Sequence, residues 1–305
     1  MTQNGHKKPP DRGPLLGAHM SVAGGLDQAL IRGKAAGCEV IQIFSKNSNQ
    51  WKAKPLTSEE ISIFIKTRAE TKVFPAMVHS AYLINLCSPK EEEWKKSIEA
   101  FYVEMERVEA LEIPYLVLHP GAHLGTGAAA GIAKAAEALN FLHRRTAGFR
   151  MKVLIELTAG QGSCIGHRFE EVAGILERVE DPERVGVCFD TCHAFAAGYD
   201  MRTRPLYDET IEALDRTIGL KKVLAFHLND CKKEIGCRVD RHEHIGQGKM
   251  GEAPFSYLMN DSRFFGVPMV LETPKGKDLK EDVMNLTLLR RLQSGAVVSM
   301  PDEKG

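Results

Sequence analysis

No two of the seven cysteines stand in CxxC spacing, and their number is odd. A secreted disulfide framework is therefore not expected, and the thiols should be reduced, with Cys188 and Cys192 acting as small packing residues. No stretch approaches the roughly 20 consecutive apolar residues that a spanning helix requires. The polar opening MTQNGHKKPPDRG also lacks the apolar heart of a signal peptide. A cytoplasmic location with no membrane partner is expected. Net charge is missing too: lysine plus arginine and aspartate plus glutamate both number 40. No global field draws in a polyanion, so any nucleic-acid binding must arise from a local surface. A dinucleotide fingerprint is likewise absent, because GQGSCIG (160–166) spaces its glycines as G-x-G-x-x-x-G before no clear helix start.

What the chain of 305 residues does hold is one sentence repeated eight times. Short apolar runs recur as LLGAH (15–19), VIQIF (40–44), FPAMVH (74–79), YLVLH (115–119), KVLIE (152–156), VGVCFD (185–190), VLAFH (223–227) and VPMVLE (267–272). Near-continuous apolar runs suit strands buried on both faces, the condition of a parallel sheet. Helical periodicity fills most of the intervals. Thr57 and Glu60 form a capping-box pattern before Ile61, Phe64 and Ile65. Ser88 and Pro89 open a segment in which Trp94, Ile98, Phe101, Met105 and Val108 step along one face. Further helices are expected over 128–145, 169–179, 209–218 and 279–292, with shorter ones over 26–36 and around 253–260. The fold class is α/β: a single TIM (β/α)8 barrel over 14–294, with a disordered head over 1–13 and a loose tail over 295–305.

The polar residues fall in a pattern. His19, His79, His119, Glu156, Asp190, His227 and Glu272 each close one apolar run, and only the run ending at Phe44 lacks such a residue. A strand-end histidine taken singly reads as a hydrogen-bonded core residue. Buried carboxylates are harder to dismiss, since burying one without a partner costs several kcal/mol, and no strand end supplies a lysine or arginine. In a closed barrel all eight ends converge on one mouth. Imidazole and carboxylate meeting there are ligand chemistry for divalent transition metals, with zinc the default and manganese or iron as substitutes. His193, three residues beyond Asp190, and the D-x-H pair Asp240 and His242 extend the set, although that pair alone would read as a solvated loop. At about three or four ligands per zinc, the donors suffice for two or three ions. The other histidines, His6, His123, His143, His167 and His244, are expected on loops or solvated helix faces.

The stretches GAHMSVAGG (17–25), HSAYLINL (79–86), LHPGAH (118–123), IELTAGQG (155–162), FDTCHAFAAGYD (189–200), HLND (227–230), VDRHEHIGQG (239–248) and LETP (271–274) together resemble the endonuclease IV family of zinc-dependent apurinic/apyrimidinic endonucleases. The resemblance runs from the first strand to the last. It implies three zinc ions: one held by His79 and His119 and bridged by Glu156 to a second, which Asp190, His227 and Glu272 complete, and a third held by His193, Asp240 and His242. His19 is not among the family's ligands and is expected to bind phosphate or support the site. The implied reaction hydrolyses the phosphodiester 5′ to an abasic site in duplex DNA, leaving a 3′ hydroxyl and a 5′ deoxyribose phosphate. The third ion would stabilise the leaving 3′ oxygen. Glu272 and Glu156 are the catalytic candidates, Glu272 to orient or deprotonate the attacking water and Glu156 to bridge.

The loop SKNSNQWKAKP (45–55) sets Lys46, Lys52 and Lys54 around Trp51. Alone it reads as an exposed turn with scattered charge. The resemblance turns it toward DNA, with Asn49 and Trp51 here and Tyr82 and Leu83 in the next loop as DNA contacts; Tyr82 and Leu83 match side chains that family members push into the base stack to flip the damaged nucleotide. Asn49 stands where a well-known form of the pattern has arginine, so this wedge is shorter and uncharged. Ala81 departs from the commoner HxSY spelling. A monomer is expected. The competing readings are a metal-dependent sugar isomerase or epimerase of the xylose-isomerase-like barrel type, and a DNA-binding barrel that has lost catalysis.

Overall fold

The apolar runs become parallel strands that close on themselves. In the computed structural model, which describes residues 13–293, the strands are β1 (Leu15–His19), β2 (Val40–Ile43), β3 (Phe74–His79), β4 (Tyr115–Leu118), β5 (Lys152–Glu156), β6 (Val185–Asp190), β7 (Val223–Leu228), β8 (Asp230–Cys231), β9 (His242–Glu243) and β10 (Pro268–Leu271). Strands β1 to β7 and β10 form the barrel, each beside its successor, and β10 pairs with β1 to complete the ring. Strands β8 and β9 form a small antiparallel ribbon of their own above β7. The helices are α1 (Leu26–Ala35), α2 (Ser58–Thr71), α3 (Glu91–Ala110), α4 (Ala128–Arg145), α5 (Phe169–Leu176), α6 (Thr191–Ala197), α7 (Arg204–Thr217), α8 (Ala253–Met259) and α9 (Lys280–Gln293). Among the described residues no helix is long and apolar enough to cross a membrane.

The helix ends follow local chemistry. The Thr57 and Glu60 capping box is present in both directions. Helix α3 starts at Glu91 rather than at Ser88, because Ser88 Oγ accepts the Lys90 N–H and so caps the turn before the helix. Helix α7 begins at Arg204 rather than at 209, with Pro205 in its first turn, where a missing N–H leaves nothing unsatisfied. Helix α5 stops at Leu176, short of 179. The sequence reading did not foresee α6, whose first turn is capped by Asp190 Oδ1 on the His193 N–H at 2.8 Å.

Two cores result from the alternation of each strand. Val40, Met77, Val117, Leu154, Cys188, Ala225 and Val270 meet inside the barrel, while the larger cluster lies between strands and helices. Side chains two apart on a strand face the same way. The residues two beyond these interior ones are Gln42, His79, His119, Glu156, Asp190, His227 and Glu272. Every strand that begins by filling the interior thus ends by aiming a polar group up into the mouth. Burying a leucine such as Leu154 stabilises by about 1.5–3 kcal/mol, whereas each uncompensated carboxylate would cost several. The mouth therefore needs its own compensation.

Two expectations need correction. Residues 1–12 of the proposed head and the whole proposed tail lie outside the described residues, as does His6, but Gly13 is buried and its carbonyl accepts the Gly266 N–H at 3.2 Å. His143 is not on a solvated face: it is 6% exposed on the inner side of α4, four residues after Leu139. Neither of its ring nitrogens has a hydrogen-bond partner. Burial, aided by the neighbouring Arg184, pushes its imidazole down to about 4.

Candidate metal centre

Glu156 stands at the middle of the mouth, fully buried at the end of β5. Its Oε2 lies 3.1 Å from His79 Nε2 and 2.9 Å from His119 Nε2. Its Oε1 lies 2.9 Å from His227 Nδ1 and 3.3 Å from His193 Nδ1. One carboxylate thus faces two separate histidine sets with different oxygens. Glu272 Oε2 approaches His227 Nδ1 at 3.3 Å, and Asp190 Oδ2 approaches it at 3.8 Å. Beyond them, Asp240 reaches His193 Nε2 at 3.2 Å with one oxygen and His242 Nε2 at 3.1 Å with the other.

The backbone sets which nitrogen each imidazole turns inward. A carbonyl oxygen can only accept, so the ring nitrogen facing it carries a proton, and the other nitrogen is the one available to an ion when the ring is neutral. His79 Nδ1 donates to Ser80 O at 2.8 Å, His193 Nδ1 to Leu157 O at 2.8 Å and His242 Nδ1 to Glu272 O at 3.2 Å. All three therefore present Nε2 to the mouth. His227 is reversed: its Nε2 meets Gln42 Oε1 at 2.8 Å, which leaves Nδ1 pointing at the three carboxylates. Such outer hydrogen bonds are how ligating histidines are oriented.

Charge inside the mouth is balanced among its own members. Burial alone would raise the Glu156 carboxyl, yet His119 and His227 beside it hold it well below the ordinary carboxylate range. Burial opposes charge on His242 as well, but the Asp240 carboxylate holds its imidazole up at about 9. Asp240 and Glu272 are drawn below their usual range against burial, by His193 and His242 in the first case and chiefly by His227 in the second.

The donor set fits divalent metal. Four groups place their ligand atoms within 4.8 Å of one another: His79, His119 and Glu156; Glu156, Asp190, His227 and Glu272; Asp190, His193 and His242; and Cys192, Asp240 and His242. His193 Nε2 and His242 Nε2 are buried without a hydrogen-bond partner although Asp240 lies beside both. Two imidazole nitrogens and a carboxylate turned into one shared space form a donor set that a divalent ion would complete in place of protons. The nine donors singled out in the sequence are all at this mouth.

His19 enters none of these groups among the described residues. Its Nδ1 contacts Gln42 Nε2 at 2.9 Å, and its ring packs on Phe44 at 4.5 Å. Sequence reasoning missed two site residues. Gln42 bonds His227 and also donates to Glu272 Oε1 at 2.5 Å. Asn229 donates to Asp190 Oδ2 at 2.7 Å and accepts the Glu272 N–H at 2.9 Å. The signal for both was a polar residue with no exposed place to go, Gln42 inside VIQIF and Asn229 directly after the β7 run.

Of the residues expected to meet DNA, Tyr82 is 62% exposed above the mouth, its ring 5.5 Å from His79 and 5.6 Å from Phe44. Asn49 is exposed and Leu83 half-buried. Trp51 is half-buried against the core with Lys96 Nζ 4.1 Å above its ring. Beside that loop lies a cleft of about 490 Å³ lined in part by Lys46, Lys52, Lys54 and Arg107.

Comparison with known proteins adds the following. Residues 31–291 match the family described as xylose isomerase-like TIM barrel. A probable endonuclease 4 of Chloroflexus aggregans is 50% identical over 279 residues, covering 92% of this chain and 98% of that protein. One from Geobacter sulfurreducens is 50% identical over 277 residues, covering 91% and 94%. The crystal structure of endonuclease IV from Thermus thermophilus superposes with a TM-score of 0.81 at 36% identity, covering 93% of this chain and all of that one. A D-tagatose 3-epimerase-like protein, 17% identical with a TM-score of 0.71, shares the fold alone.

Proposed function

The chain belongs to the endonuclease IV family of xylose isomerase-like TIM barrels, and from that premise we propose how its strand-end centre cuts DNA. The protein is an apurinic/apyrimidinic endonuclease acting in DNA repair. It hydrolyses the phosphodiester 5′ to an abasic site, leaving a 3′ hydroxyl and a 5′ deoxyribose phosphate. It works as a cytoplasmic monomer on duplex DNA.

Three zinc ions are assigned to the mouth. His79, His119 and Glu156 hold one; Glu156, Asp190, His227 and Glu272 hold a second; His193, Asp240 and His242 hold the third. Ions in those places supply Lewis acidity to the phosphate and the leaving 3′ oxygen, and bring the ionisation of water near neutral pH. Glu156 joins the first two sets. Glu272, held by Gln42, orients the attacking water and accepts its proton. Gln42 and Asn229 keep Glu272 and Asp190 from swinging out of line.

A neutral chain must find DNA through a local field, and the exposed Lys52 and Lys54 of the 45–55 loop provide one. Asn49, Tyr82 and Leu83 enter the stack at the lesion, while Trp51 gives the first loop its footing. The observation that carries the reading is the division of Glu156, one oxygen to each histidine set, together with the third set built on Asp240 and His242. A sugar isomerase needs neither that third set nor a basic loop at the rim. Incision of a duplex carrying one abasic site, with and without chelator, tests the assignment. The expected result is chelator-sensitive cutting with a 3′ hydroxyl end and about three zinc per chain. Intact duplex with one or two exchangeable manganese or magnesium ions in the protein would point to the isomerase instead.

A further inference from the structure

One buried carboxylate lies outside the metal centre and holds both loops assigned to DNA. Glu104, on the inner face of α3, is 1% exposed. Its Oε1 accepts the Ala81 N–H at 3.1 Å, from the residue just before Tyr82. The same oxygen lies 3.2 Å from Lys46 Nζ, in the loop that carries Asn49. Lys46 Nζ in turn donates to Gln50 O at 2.6 Å, so the ammonium ties the middle of its own loop to the helix. Arg107, on the next turn of α3, donates to Ser45 O at 3.0 Å and Lys54 O at 2.7 Å, closing that loop at both ends.

We propose that Glu104 is a positioning residue that couples the two DNA-facing loops, so that the wedges at Asn49 and Tyr82 move as one body. The inference rests on the reading that those loops enter the DNA stack. The physical reason is that a single oxygen serves both. If the 45–55 loop swings away, Lys46 leaves a charge stranded in the interior, and the oxygen that fixes the Ala81 backbone loses its counter-charge. The contact between Phe44 and Tyr82, 5.6 Å between ring centres, ties the loops again at the surface. A pair of wedges held at fixed separation opens a base step in one motion, whereas independent wedges would each have to be ordered on the DNA.

The test is a double-mutant cycle on the zinc-loaded enzyme, reading kcat/KM for an abasic duplex. Asn49→Ala and Tyr82→Ala are made singly and together, first in the parent and then in the neutral pair Lys46→Met/Glu104→Gln, which removes both buried charges at once. In the parent the two substitutions should depart from multiplicativity by about 5-fold or more. In the neutral pair they should multiply to within roughly 2-fold. The neutral pair should also raise KM while leaving kcat and zinc content near parental, and a duplex whose abasic site is flanked by mismatches should recover much of the loss. Non-additivity that persists in the neutral pair would overturn the coupling. If neither Asn49→Ala nor Tyr82→Ala changes KM, the loop assignment fails and the coupling falls with it. Should the neutral pair not fold, Lys46→Met/Glu104→Met, apolar at both positions, takes its place in the same cycle, with amide exchange at Ala81 as a second readout; parental exchange there would refute the link.

Discussion

Gln42→Met is the sharpest probe of how the mouth is held in shape. Methionine matches glutamine in length, so the change removes polarity with little change in volume. The amide carbonyl accepts from His227 Nε2 at 2.8 Å and the amide nitrogen donates to Glu272 Oε1 at 2.5 Å. Gln42 and His227 are fully buried, so no water replaces the bond that His227 loses, whereas Glu272 is 15% exposed and keeps His227 at 3.3 Å. Leaving the buried His227 nitrogen unsatisfied costs about 1–3 kcal/mol in the metal-free protein. His227 is also freed to rotate, and loss of such an orienting partner lowers metal affinity by about 10–100-fold. The assay is titration of metal-free enzyme with zinc against a chromophoric chelator, followed by incision at limiting and saturating zinc. One class of site should weaken by that factor while the others hold, and excess zinc should restore part of the activity. An unchanged titration curve, with parental thermal stability in the metal-free protein, would refute the reasoning.

Glu272→Gln should cut incision by at least about 100-fold, the usual scale for losing a general base, while an abasic duplex still binds in a mobility-shift assay; parental cutting would remove Glu272 from the chemistry. His143 gives a pH signature. Its imidazole sits at about 4 when folded against an ordinary 6.5, so the unfolded chain takes up the proton first and stability declines as pH falls from 6.5 toward 4. At pH 5 the loss is about 2 kcal/mol, and His143→Leu should narrow the melting-temperature difference between pH 7.5 and pH 5 by roughly 4 °C; an equal difference in both proteins would contradict the burial argument. Lys52→Ala should weaken duplex binding without changing lesion preference and lower the slope of log affinity against log salt by roughly one, as fluorescence anisotropy across a salt series would report.

The barrel was legible because its strands carry an energetic contradiction that few other arrangements resolve. Leu154 fills the interior and Glu156, two residues on, faces the same way, so the run must end where a carboxylate finds cations. The same step of two explains the one strand that looked exceptional. In VIQIF the mouth residue is Gln42, two beyond interior Val40, and Phe44 lies past the end of β2. Attention to charge hid it, because an amide titrates nothing. His143 hides for the opposite reason: its polarity suggests water, yet Leu139 and Leu142 mark its stripe of α4 as buried. Helix α6 was hidden because its seven residues, TCHAFAA, are too few for periodicity to register. Which imidazole nitrogen faces inward could not be read at all, since it depends on carbonyls such as Leu157 O that reach the site from elsewhere in the chain.

The ring is closed by strands from opposite ends of the described chain. Glu272 follows β10, the last strand, which completes the circle by pairing with β1 at the other end of the chain. His79, His119 and Glu156 lie on β3 to β5 or at their ends, on the far side of the ring from that seam. Loss of β10 would remove at one stroke the neighbour of β1 and the donor Glu272, so the rim and its second donor group depend on the same short strand.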